Sequence, residues 1–307
     1  MNAAHDRVPR SILVLLAVLA LAWGFNWTVS KTVLSEMQPF YFRAWCLSVG
    51  SIGLFAIARI GGHRIRVPAG DWGRLIVIGA FNVLLWNVTA TYGLKMLASG
   101  RAVILAYTFP IWGVLLSMWL LKDPLTRRRL TGLVLGMAGM ALLLGDEFAA
   151  VGRSPLGALL LIASAVSWAL GLVIMKRWPV DLPTTSFTAW QMAISFGPIL
   201  ILALLFEDGP ISPLALTIWP LLALVYCMFV ASIFCYWAWM KIATVAPVSV
   251  STIGMLMNPV VGVFSGVVVL GEEPRWSDFA ALVLVIAAVA VVLLPPRQVA
   301  AKVSIGS

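Results

Sequence analysis

The stretch "AWGFNWTVSK", residues 22–31, ends the first apolar run of the chain and carries the clearest sign of an internal repeat. It returns as "SWALGLVIMK", residues 167–176, with a tryptophan again at the second position and a lysine again at the tenth. Further residues match at nearly the same distance along the chain. The matched pairs are Trp23–Trp168, Lys31–Lys176, Phe42–Phe187, Trp45–Trp190, Lys95–Lys241 and Pro110–Pro259. The sequence therefore predicts two repeats, over 11–145 and 156–294.

Composition places these repeats in a membrane. Apolar residues make up 62% of the 307 residues and charged residues only 11%, whereas ordinary soluble domains carry about 25% charge. Bilayer-crossing helices need roughly 17–25 apolar residues, and ten runs are close to that length. They lie at 11–30, 39–58, 75–94, 102–121, 130–145, 156–175, 185–206, 218–240, 246–270 and 278–294. We therefore predict an all-α polytopic membrane protein, with a first span that is retained and not cleaved as a signal.

Basic residues indicate the orientation of the spans. With the N-terminus inside, 15 of the 21 Lys and Arg residues fall in cytoplasmic segments, as the positive-inside rule requires. The acidic stretches at 145–147, 207–208 and 271–274 fall on the other side. Both termini, as tails 1–10 and 295–307, are thus predicted to be cytoplasmic. The net charge of +9 is interpreted as a topology signal and not as a nucleic-acid site; the bilayer is the expected environment.

Each predicted repeat contains five spans, and five is an odd number. The second repeat therefore enters the membrane from the opposite side, which gives ten transmembrane helices as two inverted five-helix repeats. Inverted repeats are typical of secondary transporters, whose halves exchange conformations around a site near the membrane midplane. We expect alternating access around a cavity between the two halves.

Three motifs add a resemblance to a known family. "AWGFNW" (22–27), "TFPIWG" (108–113) followed by "LLKDPL" (120–125), and "MNPVVG" (257–262) followed by "LGEEPRW" (270–276) resemble the two EamA repeats of the drug/metabolite transporter superfamily. The tryptophan-rich first repeat is most similar to the YddG-type exporters of aromatic amino acids. The resemblance implies a ten-helix fold, alternating access and efflux of small metabolites. We accordingly expect a multi-pass protein of the bacterial inner membrane.

Polar and aromatic residues deep in the spans are the candidate site residues, because an unpaired amide is costly in hydrocarbon and a deep tryptophan cannot be an interfacial anchor. Packing or hydrogen bonding between helices remains the alternative for each. For Trp27 we favour an interfacial anchor, and for Arg43 snorkelling to the membrane surface. The predicted substrate-binding residues are Trp23, Asn26, Asn82, Trp86, Tyr107, Trp168, Gln191, Tyr226, Trp237 and Asn258.

Pro110 and Pro259 are matched prolines in mid-membrane. A proline removes a backbone hydrogen bond and breaks or kinks a helix. We therefore predict hinges at both positions, with Tyr107 and Asn258 beside the breaks. Tolerated kinks are the alternative, since proline is common in transmembrane helices.

The spans lack the residues that catalysis or metal binding would need. No Asp or Glu is deep in a predicted span, and His5 and His63 lie outside the spans. We therefore expect no catalytic residues, no metal, no cofactor and no enzyme activity. The favoured function is export of small amphipathic metabolites, in particular aromatic or neutral amino acids. Export of nucleobases or drugs, a channel, and a membrane scaffold are the alternatives, and the oligomeric state, including a monomer, is left open.

Overall fold

The computed structural model describes residues 10–122, 124, 126–149, 155–209, 212–245 and 248–293, and these residues contain helices and no strands. The predicted tails, apart from residue 10, lie outside the described residues. The first repeat holds α1 (Arg10–Val33), α2 (Pro39–Ile60), α3 (Ala69–Met96), α4 (Ser99–Leu120) and α5 (Arg127–Ala149). The second holds α6 (Pro155–Arg177), α7 (Thr184–Phe206), α8 (residues 218–245), α9 (Val248–Leu270) and α10 (Trp276–Leu293).

Seven of these helices are long and apolar enough to cross a membrane: α1 to α4 and α6 to α8. The other three contain shorter apolar stretches, at Leu130–Leu142, Met257–Leu270 and Trp276–Val291. The chain is therefore a helical, multi-pass membrane protein. The count of ten spans and the cytoplasmic placement of the termini stay predictions.

Loop contacts define two ends of the helix bundle. The loops after α1, α3, α7 and α9 contact one another through Lys31, Glu36, Glu207 and Glu272, and we call this end the odd-loop face. The loops after α2 and α6 meet at the other end, the even-loop face, where Arg64 forms an ion pair of 2.8 Å with Asp181. Sequential helices therefore run in alternating directions through the bundle.

Equivalent helices of the two halves have equivalent packing partners. Helix α2 packs against α7, and α5 packs against α10, so these pairs map onto themselves. Helix α1 packs against α9 and α8, and its counterpart α6 packs against α4 and α3. Most of the core is thus formed between the halves and not within them.

Small residues allow the closest of these contacts. Gly139 in α5 faces α10, where a side chain would meet Leu284 and Val285 at 3.2 Å, and Gly136 lies against Ile111 of α4. Gly24 in α1 similarly faces Val261 in α9. This is the close helix packing that small residues permit in membranes.

Two helices contain π-helical segments at equivalent places in the two halves. They cover Ala80–Leu85 in α3 and Tyr226–Phe234 in α8. The Ser232 hydroxyl donates to the carbonyl of Cys227, five residues earlier, at 2.8 Å. Such segments are uncommon, and they occur often at functional sites.

The two matched prolines differ in their surroundings. Helix α4 is interrupted at Tyr107 and Thr108, and Pro110 lies in the first turn of its second segment, Phe109–Leu120. Helix α9 is continuous through Pro259. The interruption predicted at Pro259 is therefore absent, because one missing backbone donor was not enough to break a helix that packs along α1.

Candidate substrate cavity

A cavity lies between the two halves. Its volume is about 140 Å³, roughly ten times the space that one buried water needs. The lining comes from α1, α2, α3 and α4 of the first half and from α6, α7 and α8 of the second. The lining residues are Trp23, Asn26, Trp27, Ser30, Arg43, Cys46, Leu47, Trp86, Asn87, Ala90, Leu94, Tyr107, Phe109, Trp168, Met192, Ala231, Ser232 and Tyr236.

Aromatic rings from both halves meet across this cavity. The rings of Trp86 in α3 and Trp168 in α6 have centroids 5.0 Å apart, and Phe109 lies 6.4 Å from Trp168. Trp23 in α1 also makes an edge-to-face contact of 5.4 Å with Tyr236 in α8. These separations are typical of favourable aromatic pairs. The cavity therefore offers flat apolar surfaces from both halves.

Amide and hydroxyl groups interrupt the aromatic lining. The Oδ1 atom of Asn26 accepts a weak hydrogen bond from the Cys227 thiol at 3.5 Å. Asn87 donates through Nδ2 to the carbonyl of Val83 at 2.7 Å, so its Oδ1 remains an acceptor at the cavity wall. Ser30 and Ser232 add hydroxyl groups. The cavity can thus bind both an apolar ring and a few polar groups.

Among the described residues of the lining, Arg43 is the only charged one. Its Nε donates to the Thr91 hydroxyl at 2.7 Å, and its guanidinium carbon lies 4.4 Å from the centre of the buried Phe42 ring. This position differs from the snorkelling that the sequence suggested, because the side chain faces the cavity.

The structure brings five of the ten predicted site residues together at the cavity. Trp23, Asn26, Trp86, Tyr107 and Trp168 all line it. Their role in binding substrate remains a prediction.

The other five predicted residues lie outside the lining. Asn82 and Gln191 are buried between helices, and neither Asn82 Oδ1 nor Gln191 Oε1 has a hydrogen-bond partner among the described residues. The Tyr226 hydroxyl donates to the Ala22 carbonyl at 2.8 Å. Trp237 packs against Phe234 with centroids 6.0 Å apart, and Asn258 donates to the Tyr107 hydroxyl behind the cavity wall.

Trp27 shares the helix face of Trp23, and the structure places it in the cavity lining although the sequence favoured an interfacial anchor for it. Sequence reasoning missed other lining residues that helical spacing could have found. Ser30 lies seven positions after Trp23, on the same face. Cys46 and Leu47 lie three and four positions after Arg43, on its helix face, and all three residues line the cavity. No sequence signal separated Phe109, Met192 or Ala231 from ordinary lipid-facing or core residues.

Acidic residues join the two halves at the odd-loop face. Glu207, at the end of α7, is 8% exposed and accepts from the backbone N–H groups of Phe40 and Tyr41 at 2.8–3.0 Å. It also accepts from the Tyr92 hydroxyl at 2.7 Å. A carboxylate that receives the free N–H groups at a helix start stabilises that helix. Glu207 therefore fastens the second half to the start of α2.

Glu272 and Glu36 make equivalent contacts. Glu272 accepts from the backbone N–H of Ser99, at the start of α4, at 2.6 Å. Glu36 is fully exposed and accepts from the backbone N–H and hydroxyl of Thr217, just before α8, at 2.8 and 2.5 Å. These two hydrogen bonds lower the pKa of the Glu36 carboxyl below its ordinary value.

Basic residues at the same face are engaged by the protein itself. Lys31 donates to the carbonyls of Leu94, Lys95 and Leu97 at 2.7–2.9 Å, at the end of α3. Arg101 forms a buried ion pair of 2.6 Å with Asp278 of α10. These two residues therefore connect helices.

The described residues contain no cluster of three or more His, Cys, Asp or Glu side chains that could hold a metal ion. The three cysteines Cys46, Cys227 and Cys235 are free and buried.

Comparison with known proteins agrees with this architecture. The EamA-like transporter family matches twice, over residues 10–145 and 155–294. The chain belongs to the EamA-like transporter family. It is therefore a multi-pass membrane transporter of a family that consists of transporters and not of enzymes.

Individual relatives span nearly the whole chain. The uncharacterized transporter YoaV of Bacillus subtilis is 24% identical over 85% of this chain and 90% of its own length. A probable amino-acid metabolite efflux pump of Salmonella typhimurium is 27% identical over 89% of this chain and 91% of its own. A solved crystal structure with 22% identity superposes with a TM-score of 0.64, over 90% of this chain and 94% of the other, and shows the same fold.

Proposed function

We propose that this transporter exports small amphipathic metabolites, in particular aromatic or neutral amino acids, by alternating access around the cavity between its two halves. The observation that carries the proposal is the lining: paired indole rings from both halves, interrupted by amides and hydroxyls. A flat apolar group would pack against the exposed faces of these rings, and the polar groups would orient the rest of the molecule. Two relatives named as probable amino-acid metabolite efflux pumps support this substrate class.

The alternating-access part of the proposal is supported by the exchange symmetry of the helix pairs. A site between two equivalent halves opens to either side when one half rocks against the other. The predicted orientation would place the even-loop face in the cytoplasm of a bacterial inner membrane, with export toward the odd-loop face.

The other candidate functions fit the cavity less well. A lipophilic cation would be expected to pair with a buried carboxylate, and none of the lining residues that the structure describes is a carboxylate. A channel would need a continuous path lined by charged rings or carbonyls, whereas bulky tryptophans fill much of this lining.

Transport by the purified protein in liposomes tests the proposal. Vesicles loaded with labelled tryptophan, phenylalanine, leucine, adenine or a cationic dye are diluted, and the loss of label is followed. We expect saturable loss of the amino acids that unlabelled amino acids compete for. Because the described part of the cavity lining contains no acidic residue, an imposed pH gradient should not be required. Flux of adenine or dye alone, unsaturable flux, or no flux of any compound would contradict the proposal.

A further inference from the structure

The charge of the cavity lining is unbalanced. Arg43 contributes one positive charge, and none of the other lining residues that the structure describes is acidic or basic. A cation inside a membrane is costly unless water, a polar group or an opposite charge accompanies it. The balance of the site therefore favours a ligand that brings a negative group.

The guanidinium of Arg43 is held in place with its outer nitrogens available. The Thr91 hydroxyl accepts from Nε at 2.7 Å, and Thr91 itself is 1% exposed. The Phe42 ring supports one side of the group at 4.4 Å. Neither terminal nitrogen has a hydrogen bond or ion pair to another described residue. Two parallel N–H groups fixed in this way match the two oxygens of a carboxylate.

Glu207 is the acidic residue that contacts α2 and α3, the helices that hold Arg43 and Thr91, and its oxygens already accept other hydrogen bonds. Glu207 touches the start of α2 and Tyr92 of α3. Its oxygens receive the backbone N–H groups of Phe40 and Tyr41 and the Tyr92 hydroxyl, and it forms no ion pair with Arg43. Glu207 therefore does not neutralise the guanidinium of Arg43.

We infer that Arg43 binds a carboxylate group of the transported molecule, so that the cavity selects carboxylates over amines and uncharged bases. This inference rests on the proposed export function and assigns its substrate class. The carboxylate lies against Arg43, and the apolar part of the molecule lies toward Trp86 and Trp168. An amino group of the substrate can bind to neutral acceptors such as Asn87 Oδ1 and to the ring faces. These contacts are weaker than an ion pair, so the amino group is not required for transport.

Matched indole compounds test this assignment in wild-type proteoliposomes. Tryptophan and indole-3-propionate carry the carboxylate, tryptophanamide lacks only that charge, and tryptamine lacks the whole group. We expect saturable transport of the first two compounds, and at least a tenfold preference for tryptophan over tryptophanamide. Arg43→Gln should reduce this preference by about tenfold to a hundredfold, the range that a hydrogen-bonded charge supplies, and Arg43→Lys should retain part of it.

Lys95→Gln is the matched control, because it removes one positive charge at the odd-loop face from an exposed side chain outside the lining. It should leave the preference unchanged. If Arg43→Gln does not fold, the preference for tryptophan over tryptophanamide is measured in wild type and in Arg43→Lys, and these two values decide whether Arg43 binds the carboxylate. Equal transport of tryptophan and tryptophanamide, or a preference that survives in Arg43→Gln, would overturn the inference and leave the export function standing. If wild-type vesicles transport none of the four compounds while other amino acids are also refused, the proposed function fails and the inference falls with it.

Discussion

At the scale of single residues, tryptophans in similarly apolar sequence lie in different places in the structure. Trp86 faces Trp168 across the cavity, whereas Trp119 in α4 is 75% exposed on the surface of the bundle. We predict that Trp86→Ala lowers the rate of amino-acid efflux at least tenfold, because a stacking surface for the substrate is lost. Trp119→Ala should have the wild-type rate. Equal rates in Trp86→Ala and wild-type liposomes would show that this ring only packs.

Half of the ten residues predicted from the sequence line the cavity. Depth in a span excludes interfacial anchoring for Trp23, Trp86 and Trp168, which made these three predictable. The sequence could not distinguish Asn82 from Asn87. A regular α-helix places Asn82 on the stripe of Trp86, but the π-helical segment Ala80–Leu85 adds a residue to that turn. The wall is consequently formed by Asn87, and Asn82 lies between helices.

At the scale of helices, the two matched prolines predict unequal effects. Pro110→Ala would restore a backbone donor near the break at Tyr107 and Thr108 and favour a continuous α4. Since Tyr107 and Phe109 line the cavity, we expect slower efflux, by about tenfold, and changed labelling of a cysteine introduced nearby. Pro259→Ala should change efflux less, because α9 is already continuous. Larger effects in Pro259→Ala than in Pro110→Ala would contradict this account.

The helices themselves were more predictable than their irregularities. Apolar runs of bilayer length gave the approximate positions of all the described helices, and the repeat gave their correspondence. Neither π-helical segment had a sequence signal, because the extra residue is accommodated by packing between α3, α6 and α7 or between α8, α1 and α2. The break in α4 was signalled by Pro110, but an equal signal at Pro259 gave no break.

At the scale of the whole molecule, carboxylates that cap helices across the two halves give a prediction about pH. The pKa of Glu36 is lowered in the folded protein, so its contribution to stability is complete above the ordinary glutamate pKa and is lost as the pH falls through the lowered value. Glu36→Gln should therefore unfold at a lower temperature than wild type at pH 7. The difference should shrink as the pH falls below the ordinary glutamate pKa and vanish below the lowered one.

Thermal unfolding of both proteins in detergent between pH 3 and pH 7 measures this difference. The control is Glu273→Gln, which removes an exposed carboxylate for which no contact is described. A difference between wild type and Glu36→Gln that does not shrink between pH 7 and pH 3 would show that the carboxylate charge is not what joins the α1–α2 loop to α8.

The single positive charge of the cavity has a consequence for energy supply. When Arg43 pairs with a simple monocarboxylate, the loaded site is neutral and the return of the empty site carries the charge, so each cycle moves one net charge across the membrane. A potential of 100 mV then contributes about 2.3 kcal/mol per cycle, and a negative interior drives such anions outward. Tryptophan brings no net charge, so its export draws only on its own concentration gradient. In liposomes, a potassium diffusion potential that makes the interior negative should accelerate the loss of indole-3-propionate and leave that of tryptophan unchanged.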